Sequence, residues 1–347
     1  MKRKILTVFV FLIATIIVLL TALTLLEYNP KDEENLSVIG KSTRESVKIN
    51  EDYSIISFNI GYGALGETED FFMDGGKTVR PDDKFMIENN INNIKEKIID
   101  LNSDFVFVQE VDEDSKRSHN INQINKLLLE EMEGSFAYNY RAKYVPFPFP
   151  TIGKVNSGIL TMGRFKIKDS KRISLPNPFS WPVRTVNLKR ALQVTRYPID
   201  ESDNELVFIN FHLEAFDSGE GKTQQTKLLS KIILQEYEKG NYVIAGGDWN
   251  QTLIKDLTSD PNLLTDWTPG TLEWENLPKW EFGVDKNTPT NRSLLKPYIG
   301  NENQLAKFFI DGFIVSPNIE IQDTKVSKMD FKYSDHEPVK MNFKLLD

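Results

Sequence analysis

The stretch NYVIAGGDWNQ occupies residues 241–251. Tyr242 to Ala245 form a short apolar run; Gly246 and Gly247 follow, then Asp248, Trp249 and Asn250. An apolar run bounded in this way reads as a buried strand. Its end presents a carboxylate and an amide with an indole between them. Alternation puts Asp248 and Asn250 on one side and turns Trp249 the other way, into packing. A solvent turn and a functional site both account for the polar pair, so the rest of the chain has to decide between them.

The same pattern recurs on both sides of this stretch. YSIISFNI (53–60), DFVFVQEV (104–111), NSGILTM (156–162), RALQVTRYPI (190–199), ELVFINFHL (205–213) and KFFIDGFIV (307–315) are short and rich in β-branched or aromatic residues. All six read as strands. Helical spacing lies between some of them. Ile87, Ile91, Ile94, Ile98 and Leu101 step by four and three, which makes one helix face, and Asp82 or Asp83 can cap it. A second helix is expected over about 220–238, burying Leu228, Leu229, Ile232 and Ile233, and a third over about 120–133. Strands mixed with helices predict a layered α/β domain. Residues 251–305 are rich in Trp, Pro and Asn and read as long loops, which in a compact domain are often functional.

Composition narrows the function classes. The chain has 347 residues, 40% hydrophobic and 27% charged, enough apolar material for a sizeable core. The net charge of −8 does not suit a general nucleic-acid coat protein. With no cysteine, disulfides, thiolate catalysis, Cys-based zinc sites and a lipoprotein anchor are all excluded.

The N-terminus reads MKRK, a cytoplasmic basic tip over residues 1–4, followed by an uncharged run from Ile5 to Leu26. As a helix that run would be roughly 33 Å long, enough to cross a bilayer core. It is longer than the apolar region of a signal peptide and lacks a small-x-small cleavage site, so an uncleaved anchor is expected over 5–26. Secretion after cleavage is the alternative. Lys2, Arg3 and Lys4 predict a single-pass cell-membrane protein with its catalytic part outside the cytoplasm. Residues 27–50 are polar and irregular and read as a tether to a domain over 51–347.

Several apolar runs end on groups capable of chemistry. Asn59 ends SIISF, Glu110 ends FVFVQ, His212 ends LVFINF, and Asp311 interrupts FFI. Asp335 and His336 stand in KYSDHEPV. Any one of them can simply mark a strand end. Together they are harder to dismiss, because two of the chain's three histidines fall in the set. Glu, Asp and Asn oxygens suit a hard cation such as Mg²⁺ or Mn²⁺. A histidine beside an aspartate can act as a base, and amide or imidazole donors can stabilise a developing anion. A metal, a base and an anion stabiliser together describe phosphate-ester hydrolysis.

From about Tyr53 onward the sequence resembles the endonuclease/exonuclease/phosphatase superfamily of DNase I-like proteins. SFNIGYG, VQEVD, INFHLEA, GGDWN, TPTNR (288–292), FIDGF and YSDHEPV follow the family's motif order. Trp249 stands where the family usually has Phe, and Tyr144 is the candidate for the tyrosine that some nucleases set against the phosphate. The resemblance implies a four-layer α/β sandwich: two mixed β-sheets packed face to face with helices outside. It also implies roles. Glu110, with Asn59 and Asp335, holds Mg²⁺ or Mn²⁺. Asp248 positions the attacking water. His336 is the base or orients that water, with Asp311 holding its ring. Asn250 and His212 stabilise phosphoryl oxygens.

The substrate is the open term. The resemblance implies a membrane-anchored, nuclease-like phosphodiesterase, with a phospholipid or sphingomyelin phosphodiesterase or a sugar- or inositol-phosphate phosphatase as the alternative. A catalytically inactive binding protein would have eroded the metal and base residues, which are all present. The partners are therefore a phosphate-ester substrate, whether nucleic acid, lipid or small molecule, and the membrane; no obligate protein partner is implied. RAKYVPFPFPTIGKVNSG (141–158) and PNPFSWPVR (176–184) read either as rigid loops whose aromatics pack on the sheet or as loops that line the site or dip into headgroups. Lys189 and Arg190 can meet a phosphate. His119 reads as an exposed residue at a helix start.

Overall fold

The computed structural model describes residues 1–217, 219–254, 260–272, 274 and 279–347. In chain order its first half runs α1 (Lys2–Leu25), β1 (Glu33–Asn35), β2 (Val38–Gly40), β3 (Asp52–Asn59), α2 (Lys84–Leu101), β4 (Phe105–Asp112), α3 (Gln123–Leu127), β5 (Glu133–Val145), β6 (Gly153–Gly163) and β7 (Asp169–Ser174). Then come β8 (Ala191–Pro198), β9 (Glu205–His212), α4 (Glu220–Glu238), β10 (Tyr242–Asp248), β11 (Gln251–Thr252), β12 (Gly270–Thr271), β13 (Glu281–Gly283), β14 (Asn291–Arg292), β15 (Lys307–Phe308), β16 (Asp311–Val315), β17 (Ile319–Val326) and β18 (Val339–Leu345).

Two mixed seven-stranded sheets carry the domain. One has the order β17-β18-β3-β4-β6-β5-β2, the other β1-β7-β8-β9-β10-β16-β13. Alternation along each strand separates two apolar faces. Ile55, Phe105 and Phe107 of the first sheet meet Phe208, Ile244 and Phe313 of the second in the central core. Phe105 and Phe208 cross nearly edge to face, 4.6 Å between centroids. The neighbouring Ile56, Val106 and Val108 face outward against Ile87, Ile91, Ile94 and Ile98 of α2. Leu229 and Ile233 of α4 cover Val207, Ile209 and Val243 on the other side. The layers are thus helix, sheet, sheet, helix. α2 begins where Asp83 accepts from the Phe85 and Met86 amides, at 2.8 and 3.2 Å, which satisfies two of its unpaired N–H groups.

Four expectations are revised. The third helix is only the five-residue α3, because residues from Glu133 onward pair with β6 instead. The supposed loop 141–158 is mostly strand: β5 runs to Val145 and β6 starts at Gly153. The single strand expected over 307–315 is broken, since β15 pairs with β14 while β16 pairs with β10 and β13. Residues 27–50 do more than link: β1 adds an edge to one sheet through β7, and β2 adds an edge to the other through β5. An edge strand uses backbone groups, so a polar sequence can supply it. Of the loop region 251–305, residues 255–259, 273 and 275–278 lie outside the described residues.

Candidate active site

Three strand ends meet in register. Asp248 on β10 lies opposite His212 on β9 and opposite Asp311 on β16. The other sheet delivers its residues to the same edge. Asn59 ends β3, next to β4. Glu110 sits in a β-bulge of β4, between Val108 and Val111, with a left-handed φ of +55°. Such bulges re-aim a side chain, and strained backbone of this kind collects at functional sites. Asp335 and His336 lie just before β18, which pairs with β3. Trp249 turns away from this edge. It is fully buried, donates from Nε1 to the Gly312 carbonyl at 3.1 Å and packs edge-on to Phe211.

His336 is the centre of the arrangement. Its Nδ1 is 2.8 Å from Asp311 Oδ2. Its Nε2 is 3.0 Å from Asn291 Nδ2, 3.4 Å from Asn59 Nδ2 and 3.7 Å from Asp248 Oδ2. The Asn59 amide oxygen accepts from the Gly61 N–H at 3.1 Å. Its nitrogen therefore faces the carboxylates, donating to Asp248 Oδ2 at 2.9 Å and to Glu110 Oε1 at 3.2 Å. His212 Nε2 is 3.3 Å from Asp248 Oδ2, and its Nδ1 is buried without a hydrogen-bond partner, 3.8 Å from Glu110. Asn250 donates its backbone N–H to Asp248 Oδ1 and its side-chain amide to the Leu213 carbonyl, both at 2.9 Å.

Burial sets the electrostatics. It pushes the Asp248 carboxyl up to about 7, against the pull of the His336 ring, and raises Glu110 and Asp335 as well. Burial lowers His212 well below the ordinary histidine range, helped by the Arg190 cation, so its ring is neutral. Burial also disfavours the His336 cation, but Asp311, Asp335 and Asp248 more than offset this and hold its pKa well above the ordinary value.

A cavity of about 550 Å³ opens over this floor. Glu110, His212, Asp248, Asn250, Asp335 and His336 line it, while Asn59 and Asp311 stand behind them. One atom each from Asp248, Asp311 and His336 lie within 4.8 Å of one another, a spacing that can hold a cation. Asp311 and His336 are already engaged with each other, which leaves the oxygens of Glu110, Asp248 and Asp335 facing the cavity. Buried oxygen donors of this kind suit a hard divalent cation.

Of the remaining sequence candidates Arg190 lines the same cavity, and the others fall elsewhere. Arg190 is buried, pairing with Glu214 and donating to the His212 carbonyl, both at 3.1 Å. Lys189 pairs with Glu27 at 2.7 Å. Tyr144 is 45% exposed and does not line the cavity; Tyr62 and Tyr140 do. His119 is half-buried with Nε2 3.1 Å from the Pro81 carbonyl, a local structural contact. Thr290 Oγ1 accepts from the Ile310 and Asp311 amides and fixes the start of β16. Sequence reasoning missed three residues. Asn291 lies inside the TPTNR motif but had no role assigned from the sequence. Asp74 lines the cavity, its carboxyl pushed up to about 7 by burial and by Asp335. Arg117 lies over the Tyr62 ring at 3.6 Å and is held by both Asp112 oxygens. Neither of the last two sits in a motif.

Solved structures share this architecture. The endonuclease/exonuclease/phosphatase protein from Beutenbergia cavernae DSM 12333 superposes with a TM-score of 0.55 at 16% identity, covering 85% of this chain and 72% of that one. The corresponding protein from Bacteroides vulgatus gives 0.54 at 15% identity, covering 85% and 99%. The human Nocturnin catalytic domain with bound sulfate gives 0.52 at 17% identity, covering 89% and 97%. No family model and no curated protein matches the sequence. The fold is the DNase I-like sandwich of the endonuclease/exonuclease/phosphatase proteins.

Proposed function

We propose that the chain is a divalent-metal-dependent phosphoesterase, held in a membrane by α1 with its folded part outside the cytoplasm. The observation that carries this reading is the His336–Asp311 pair at 2.8 Å, set beside Asp248 where both sheets end. The DNase I-like fold supports it. So does α1, which is long and apolar enough to cross a membrane, and the Lys-Arg-Lys tip before it favours a cytoplasmic N-terminus.

Glu110 and Asp335 would hold Mg²⁺ or Mn²⁺, which when bound draws charge from a phosphoryl oxygen and makes water easier to deprotonate. Asn59 braces Glu110 and Asp248 as a donor, and its oxygen, which accepts from Gly61 and keeps a second lone pair, would help hold the metal as the resemblance implies. Asp311 accepts from Nδ1–H and so turns His336 Nε2 toward Asp248. Asp248 orients the attacking water, and the Asp248–His336 pair takes its proton as one coupled unit. Neutral His212, whose Nε2 lies 3.3 Å from Asp248 Oδ2, lines the cavity and would stabilise a phosphoryl oxygen. Asn250 keeps one amide hydrogen for a phosphoryl oxygen.

The test uses the full chain in detergent micelles with Mg²⁺ or Mn²⁺ and bis-p-nitrophenyl phosphate. Hydrolysis is expected, with loss of activity in EDTA. His336→Ala should slow it by at least about 100-fold in a chain whose circular dichroism spectrum matches the wild type. A variant that keeps the wild-type rate defeats the role given to His336. No turnover of any ester with any divalent metal would leave a binding protein without catalysis.

A further inference from the structure

The cavity above His336 is unlike a groove for a nucleic-acid backbone. Most of its wall is apolar, including Phe71, Val145, Phe147, Phe179, Val183 and Leu188. One stretch of that wall, residues 179–190, is fastened directly to the end of the membrane-crossing helix. Trp181 Nε1 donates to Thr24 Oγ1 in the last turn of α1 at 3.0 Å. The Glu27 carboxylate, only 3% exposed, pairs with Lys189 at 2.7 Å and with Arg184 at 3.7 Å. Tyr28 follows, its ring facing the Arg141 and Arg172 guanidinium groups at 5.7 and 6.0 Å. The last turn of α1 is therefore not free to swing away from the cleft.

The rim around this junction is apolar and open. Phe147 is 70% exposed, Phe149 85%, Trp181 51% and Val183 53%. Of the two readings of the Pro-aromatic loops, packing on the sheet fails for these side chains. Isolated exposed apolar residues need no explanation, but Phe147 and Val183 line the cleft and Trp181 is bonded to the last turn of α1. Tryptophan and aromatic neighbours at that level are what a headgroup interface accommodates.

We propose that the aromatic rim seats the cleft mouth on the bilayer that holds α1, and that the substrate is a phosphate ester of a lipid from the adjoining leaflet. The inference rests on the phosphoesterase reading and adds the substrate class to it. The lipid's apolar part lies along Val145, Phe147, Phe179 and Val183, and its phosphate reaches the floor at Asp248 and His336. Water attacks phosphorus, the ester P–O bond breaks, and the leaving oxygen takes up a proton. Because rim and anchor are joined, the substrate needs to leave the membrane only by the depth of the cleft.

The experiment reconstitutes the full chain into vesicles of phosphatidylcholine, phosphatidylglycerol and sphingomyelin with Mg²⁺, with phosphatidic acid added in a parallel series. Release of phosphorylated headgroup or inorganic phosphate is measured beside turnover of soluble bis-p-nitrophenyl phosphate and plasmid DNA. Lipid turnover is expected, and Phe149→Ser with Trp181→Ser should lower the ratio of lipid to soluble-ester turnover about tenfold. Tryptophan emission in vesicles of brominated phosphatidylcholine gives a readout independent of activity. Quenching should fall in Trp181→Phe; equal quenching overturns the membrane seat. Soluble ester or DNA hydrolysed without any lipid turnover overturns the lipid substrate and leaves the phosphoesterase standing. If nothing is hydrolysed, the phosphoesterase reading fails first. If the rim variant leaves the ratio unchanged, the rim has no part in lipid capture.

Discussion

At Gly247 the backbone holds a φ of +144°, and a Cβ there would stand 1.9 Å from the Phe211 carbonyl oxygen. Gly247 therefore answers to two demands, a conformation closed to L side chains and a close approach to β9. That approach brings Asp248 into register with His212. Gly247→Ala should cost several kcal/mol, about 3 or more, since the obstacle is backbone that cannot rotate away. Chemical denaturation of the variant checks this, and a loss within about 0.5 kcal/mol of zero would show that β10 can shift to make room. The residues of the floor were mostly legible in the sequence because strand ends carried them: Asn59, Glu110, His212, Asp248 and Asp311 each close or interrupt an apolar run. What alternation could not show is which atom of each side chain faces the others. The turn at Gly61 donates to the Asn59 oxygen and so makes Asn59 a donor to the carboxylates. Asn291 reaches His336 from a two-residue strand whose partner lies sixteen residues further on, a contact with no local trace.

Strands and helices were legible in proportion to how much apolar surface they bury. β3, β4, β9 and β10 are buried along nearly their whole length and read directly from their runs. β5 begins Glu-Gly-Ser and mixes buried and half-buried positions, so its strand state follows from pairing with β6 rather than from composition. α4 was legible from its Leu and Ile spacing, yet its end is fixed by charge. Glu236 accepts from Arg196 on β8 at 2.8 Å and also from Lys239 and Asn241. Burial alone would raise the Glu236 carboxyl; the Arg196 hydrogen bond and charge more than reverse this and hold it at about 2. A carboxyl depressed in the folded state stabilises fully above its unfolded value, and the contribution is lost as pH falls through the folded one. The window is therefore from about 4.5 down to about 2, and after discounting for solvent screening the contribution is on the order of 1–2 kcal/mol. Urea midpoints measured across that range for wild type and Glu236→Gln should differ most at the neutral end and converge in acid. Parallel curves would mean that the Arg196 pairing does not tie α4 to β8.

The molecule as a whole is fastened by the segment that looked least structured. Between α1 and β3 the chain pairs Glu33–Asn35 with β7 of one sheet and Val38–Gly40 with β5 of the other. Val47 then exchanges hydrogen bonds beside β8, its N–H to the Pro198 carbonyl at 3.0 Å and its carbonyl to the Asp200 N–H at 2.7 Å. The strap therefore closes across the sandwich at one side and carries the ion pairs of Glu27 to residues 184–189, the wall of the cleft. Its polar sequence hid this, because what it contributes is backbone hydrogen bonding to two sheet edges and charge, not apolar burial. Removing α1 should leave the sandwich intact, whereas removing the strap replaces two three-residue edges by the longer β7 and β5, an invitation to pair with other chains. A chain beginning at Glu27 should thus be soluble and melt cooperatively. One beginning at Lys41 should melt lower, by on the order of 5 °C, and aggregate on heating. Thermal unfolding with light scattering compares the two directly. Identical melting curves would reduce residues 27–40 to a passive link between α1 and the cleft wall.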